Sequence, residues 1–167
     1  MSAHQNQEKK TTANNDGPHI IAGVDGSPSS LDALRWAVHQ AGLSGGNVEA
    51  VIAWQVPVLA MSGYGYAPMT IAECAEIEEG ARKTVEAAIS DVAGPGGALV
   101  RPVVAEGQPA QVLMDASADA DLLVLGHGSH SGFADTLLGS VSERCFHHAH
   151  CPVVIMRGDQ ATRRQAA

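Results

Sequence analysis

Apolar residues recur along this chain in two rhythms: short continuous runs, and longer stretches in which they return every three or four positions. The short runs predict strands over His19 to Asp25, Val48 to Trp54, Leu99 to Val104, Asp121 to Gly126 and Pro152 to Met156. The longer stretches predict helices over Ser29 to about Gly42, Thr70 to about Val92, Pro109 to about Ala118, and a last one starting near Leu137. In the first helix Leu31, Leu34, Val38 and Ala41 make one apolar stripe, and Ser27-Pro28 supplies a cap and a first-turn proline. Five strands alternating with four helices, without internal repeat, predict an α/β fold: a single open five-stranded parallel sheet with helices on both faces.

Composition agrees with that architecture. The chain has 167 residues, 45% of them hydrophobic and only 4% aromatic, so Val, Ile, Leu and Ala carry a core of the kind that fills strands buried on both faces. Residues 1–17 are polar, without periodicity, and run into Asn14-Asn15-Asp16-Gly17-Pro18. They read as a disordered tail before a domain over residues 18–158, with a flexible tail at 159–167. The formal charge of −8, from 10 Lys and Arg against 18 Asp and Glu, removes the electrostatic basis for nucleic-acid binding. No apolar stretch approaches the roughly 20 residues of a membrane helix, and the N-terminus lacks the apolar segment of a signal peptide. A cytoplasmic location follows as an expectation, and the odd set Cys74, Cys145 and Cys151 suits reduced thiols. Glu73, Glu76, Glu78, Glu79 and Glu86 with Arg82 and Lys83 read as the solvated face of the long helix, with pairing such as Glu78 to Arg82.

Candidate chemistry concentrates after the fourth strand. Gly126 to Ser142 reads GHGSHSGFADTLLGSVS, a run of small residues that leaves a buried strand and re-enters a helix. Such a turn aims backbone N–H groups and a helix N-terminus at a bound anion; the alternative is an ordinary strand-to-helix loop. At the end of the first strand, Gly23-Val24-Asp25-Gly26-Ser27 breaks the apolar run in the same manner. Open parallel sheets bind ligands beyond the carboxyl ends of strands where strand order reverses. With the first and fourth strands adjacent at such a point, Asp25 and the Gly126 loop share one crevice, the carboxylate set for a ribose hydroxyl or an adenine amino group. An Asx turn that opens Asp-Gly-Ser-Pro is the alternative for Asp25. Cys145, His147, His148, His150 and Cys151 are metal-ligand types at close spacing, but a helix end followed by Pro152 does not make them converge. Pro57 to Met69, with Tyr64 and Tyr66, is a long loop: a lid, a partner contact or a plain surface segment.

Three stretches, IIAGVDGSPSSLDALRWA, EGQPAQVLMDASADADLLVLG and GFADTLLGSVSERCFHHAHCPVVIMR, together resemble the universal stress protein family from His19 to Arg157. The resemblance implies a Rossmann-like fold related to the adenine nucleotide alpha hydrolases, with strand order 3-2-1-4-5. Nucleotide-binding members carry glycine, two residues, glycine, nine residues, then glycine with Ser or Thr. The corresponding frame is Gly126, His127-Gly128, Ser129, nine residues, Gly139-Ser140, so Ser129 stands where the second glycine is expected. By resemblance, backbone at Gly126, Ser129 and Gly139 and the residue Ser140 contact phosphate, Asp25 lies near adenine and ribose, and Ala53 offers a backbone contact. Gly23, His127, Gly128, His130, Val141 and Ser142 complete the candidate set. The implied ligand is ATP, or ADP or AMP, with Mg²⁺; the implied assembly is a homodimer through the Pro152 to Met156 edge strand.

Two features of the loop modify that expectation. If position 129 needs positive φ, the serine Cβ costs about 1 to 2 kcal/mol and weakens binding about tenfold or more. Between Gly126 and Glu143 there is no Lys or Arg, and the cations available are His127 and His130. Protonation of these imidazoles predicts an affinity that rises as pH falls from about 7.5 to 6. The alternatives to a nucleotide-dependent regulatory module are a slow ATPase or autophosphorylating enzyme, for which no Walker lysine or GxSxG elbow is found, and a dimeric scaffold that binds no nucleotide.

Overall fold

The computed structural model describes residues 17–56, 70–93, 99–128 and 138–157; residues 1–16 and 159–167 of the predicted tails, the Pro57 to Met69 loop, Ser129 and His130 lie outside them. In chain order the elements are β1 (His19–Gly23), α1 (Pro28–Ser44), β2 (Asn47–Trp54), α2 (Ile71–Val92), β3 (Leu99–Glu106), α3 (Pro109–Ala116) with a 3-10 turn at Ser117–Asp119, β4 (Leu122–Gly126), α4 (Ser140–His148) and β5 (Val153–Met156). The strands form one five-stranded sheet in the order β3-β2-β1-β4-β5, and each neighbouring pair runs parallel.

Side-chain alternation along the strands divides the core into two layers. Ile20 and Ala22 of β1, Val48, Ala50 and Ile52 of β2, and Val124 of β4 pack beneath α1 and α2. Ile21, Val51, Leu123 and Leu125 point to the opposite face, where Ala110, Leu113 and Met114 of α3 and Cys145 of α4 cover them. β1 and β4 are therefore apolar on both sides, which is why they appear in the sequence as unbroken runs.

α1 opens on Ser27, whose hydroxyl accepts the Ser30 N–H at 3.3 Å, and ends at Gly45 in the left-handed region with φ of 69°. Its buried face is Ala33, Leu34, Ala37 and Ala41. The expected stripe is thus rotated: Leu31 and Val38 flank it, because alanines let the helix approach the sheet more closely than leucine and valine would. α2 starts with a reciprocal cap, Thr70 accepting from the Glu73 N–H while Glu73 accepts from the Thr70 N–H.

Several element boundaries differ from expectation by one or more residues, among them those of β1, α4 and β5. β1 stops at Gly23 rather than Asp25, because the Asp25 carboxylate accepts the Ser27 N–H at 2.9 Å and turns the chain. α4 begins at Ser140 rather than near Leu137, and β5 begins at Val153, after a proline without an N–H. At the amino end of the sheet, the His19 amide donates to Asp121 at 2.8 Å, and its ring lies 3.2 Å from Glu49, which also pairs with Arg101 of β3.

Candidate functional site

Strand order reverses between β1 and β4: the chain builds outward through β2 and β3, then crosses back to β4 and β5. A cavity of about 380 Å³ opens there, at the carboxyl ends of β1, β2 and β4, within the size range of small-molecule sites. Of the sequence-predicted residues, Gly23, Asp25, Ala53, Gly126, Gly128, Gly139, Ser140, Val141 and Ser142 all line it.

The crevice has an apolar and a polar end. Val24, Val51, Ile52, Leu113 and Leu125 form the apolar surface, a slot of the kind that accepts an aromatic base. At the polar end α4 follows Gly139, which offers no side-chain cap, and the N–H groups of a helix's first turn have no intrahelical partner. The positive end of the helix dipole thus opens on the cavity through Ser140, Val141 and Ser142. Opposite, α1 contributes Ser27, Ser29 and Ser30. Asp25 forms the Asx turn foreseen as an alternative, its carboxylate accepting the Ser27 N–H, and the residue lines the cavity.

Glycine is required where backbones cross at this polar end. A Cβ on Gly126 would lie 2.7 Å from the Ser29 carbonyl carbon and 2.8 Å from its oxygen, so the exit of β4 touches the first turn of α1 directly. A Cβ on Gly139 would lie 2.7 Å from the Gly128 carbonyl oxygen, and Gly128 has φ of +72°. Gly128 and Gly139 are thereby pressed together, and the Gly139 N–H donates to the His127 carbonyl at 2.9 Å. The Ser142 hydroxyl adds a bond to the Gly126 carbonyl at 2.7 Å.

His127 is only 8% exposed and is absent from the described residues that line the cavity; its carbonyl accepts from the Gly139 N–H and its own N–H donates to the Met156 carbonyl. No Lys or Arg is among the described lining residues, so positive potential in that part of the crevice comes from helix N-termini. Cys145 is fully buried, its thiol pushed up to about 11 by burial, whereas His147, His148 and His150 are exposed. The Cys and His side chains of this segment thus diverge, and among the described residues no group of three or more His, Cys, Asp and Glu is placed to hold a metal ion.

The sequence reading missed the α1 serines and the α3 contribution of Pro109 and Leu113. Topology carried a signal for Pro109: it opens the helix after β3, and in a parallel sheet every such helix starts at the ligand-binding end.

An α/β sheet with a glycine-backed crevice at its switch point has the architecture of a small-molecule site, and comparison with known proteins gives the family. Residues 18–157 match the model of the universal stress protein family, and the chain belongs to that family. It is 35% identical over 146 residues to a universal stress protein of Mycolicibacterium smegmatis, covering 84% of this chain and 48% of the relative. It is 33% identical over 144 residues to Universal stress protein Rv2005c of Mycobacterium tuberculosis, covering 83% and 45%. The chain thus spans about half the length of these curated relatives. Among solved structures, UspA from Lactobacillus plantarum superposes with a TM-score of 0.66 at 20% identity, covering 84% of this chain and 97% of that one. A universal stress protein in complex with cAMP gives 0.57 at 23% identity, over 86% and 99%. A universal stress protein family protein from Arabidopsis thaliana with AMP bound gives 0.51 at 16% identity, over 86% and 94%. These likenesses establish the fold. Among the described residues no helix is long and apolar enough to cross a membrane.

Proposed function

We propose that this chain binds an adenine nucleotide in the β1/β4 crevice and acts as a nucleotide-dependent regulatory module of the stress response. The observation that carries the reading is the uncapped N-terminus of α4 opening on the same cavity as Asp25 and the apolar slot. The base lies between Val51, Ile52 and Leu113, Asp25 takes the ribose hydroxyls, and phosphate rests on the first turn of α4. The AMP and cAMP complexes among the structural relatives support the same ligand class.

ATP, ADP and AMP all fit this polarity. Asp25 is the one carboxylate among the described lining residues, so Mg²⁺ accompanying ATP is held chiefly by the phosphates and water. There it offsets charge that the described wall has no Lys or Arg to meet. The domain forms a homodimer through β5, an edge strand of four half-buried apolar residues that is costly to leave open. Its three thiols, Cys74, Cys145 and Cys151, are free, in keeping with a reducing compartment such as the cytoplasm.

The test is titration calorimetry with ATP and Mg²⁺, and with AMP and cAMP, on this chain and on Ser129→Gly. Saturable binding to the parent supports the reading, with intact ATP recovered from a binder and ADP accumulating from an enzyme. Binding to the glycine variant alone assigns a disabled cradle to Ser129. Binding to neither favours the scaffold.

A further inference from the structure

The phosphate end of the crevice and the outer edge strand are joined by two backbone hydrogen bonds that meet at one residue. Gly139, which opens α4, donates to the His127 carbonyl at 2.9 Å, and the His127 N–H donates to the Met156 carbonyl at 2.7 Å. Met156 is the last residue of β5. His127 is buried, so neither bond is readily exchanged for one to water. The surrounding backbone has little slack. Gly139 lies too close to the Gly128 carbonyl to admit a Cβ, and Ser142 is bonded to the Gly126 carbonyl. The first turn of α4 therefore cannot shift without moving Gly126, His127 and Gly128.

We infer that nucleotide occupancy of the crevice is transmitted through the His127 backbone to β5, so that bound phosphate tightens the outer edge strand. This rests on the nucleotide reading above. Phosphate on the first-turn N–H groups of α4 restrains Gly139, Gly139 restrains the His127 carbonyl, and the His127 N–H restrains the carboxyl end of β5. The strand is suited to respond: it has four residues and, among the described residues, pairs with β4 alone, so it opens locally at less cost than an inner strand. The opposite edge strand, β3, pairs with β2 over all eight of its residues and is two strands from β4, which makes it the internal reference. By linkage, a second copy docked on β5 raises nucleotide affinity by the factor by which nucleotide strengthens docking.

The test is hydrogen–deuterium exchange of the full chain with and without saturating AMP, alongside calorimetry. Exchange at the His127 amide and in β5 should slow at least about threefold, while β3 changes less. Saturable binding with unchanged β5 exchange overturns the inference and leaves the nucleotide reading standing. Equal slowing in β3 overturns it in favour of uniform stabilisation. Absence of binding in calorimetry overturns both. His127→Pro deletes the donor to Met156 and keeps the carbonyl, whereas His127→Ala keeps both backbone bonds. At saturating AMP the alanine variant should retain the β5 response and the proline variant lose it. A response lost in the alanine variant refutes the backbone route even if the proline variant does not fold.

Discussion

Replacing Gly126 by alanine tests whether the contact between β4 and α1 sets the shape of the crevice. The added Cβ would meet the Ser29 carbonyl carbon at 2.7 Å, its oxygen at 2.8 Å and its hydroxyl at 2.8 Å. Two of these are backbone atoms, so no rotamer change relieves the overlap. Restoring ordinary contact near 3.4 Å requires the first turn of α1 to retreat by roughly 0.7 Å, and overpacking of this kind costs about 1 to 3 kcal/mol. For a domain of this size that corresponds to a melting temperature lower by about 3 to 9 °C. The same displacement moves Ser27, Ser29 and Ser30 away from the ligand, so nucleotide affinity should fall at least about tenfold. Gly80→Ala in α2, where a Cβ meets nothing within 4 Å, is the matched control for the chemical change. Thermal unfolding by circular dichroism and calorimetry with AMP read the two effects. A melting temperature within 1 °C of the parent value, or a rise matching that of the control, would show that the β4–α1 contact is not tight and refute the reasoning.

Further outcomes follow from other parts of the fold. Gly80→Ala should itself raise stability by about 0.5 to 1 kcal/mol in urea titration, because it removes backbone freedom from an exposed helical position; a lower midpoint would contradict the open space seen there. Thr70→Ala should lower stability by about 1 kcal/mol by breaking the reciprocal cap with Glu73, checked by the same titration. Thr70 hydrogen bonds hold the Glu73 carboxyl below its usual value, so this cap is weakened as pH falls through the carboxylate range. Burial raises the Cys145 thiol from 9.0 to about 11, so folding favours its protonated form. The corresponding stability is complete below pH 9 and lost as pH rises toward 11, on the order of 2 to 3 kcal/mol. Cys145→Ala should show a flatter decline than the parent across that window in parallel urea titrations, and equal slopes would refute the assignment.

The chain's pattern reveals the layers well and the crevice in part. Strands buried on both faces leave runs such as Leu122 to Leu125 that have no other use, and capping residues such as Ser27 and Thr70 act within one helical turn, so both are legible locally. The glycines at 126, 128 and 139 were legible as a loop, but their reason is a contact between segments distant in sequence: Gly126 faces Ser29, which nothing near position 126 indicates. The same holds for His127, whose burial and peptide hydrogen bonds to Gly139 and Met156 come from tertiary packing. Leu113 is one more apolar residue on a short helix until the sheet brings α3 against β2.

The two rims of the sheet are unequal. β3 carries Pro102, which has no N–H to offer a newcomer, beside an Arg101 engaged by Glu49, and both discourage strand addition. Across Val153, Val154, Ile155 and Met156, β5 carries no such guard. Among the described residues, strand pairing is therefore favoured on this side. A twofold contact through that side consumes it in both partners, so such an assembly terminates at two copies and cannot propagate into a filament.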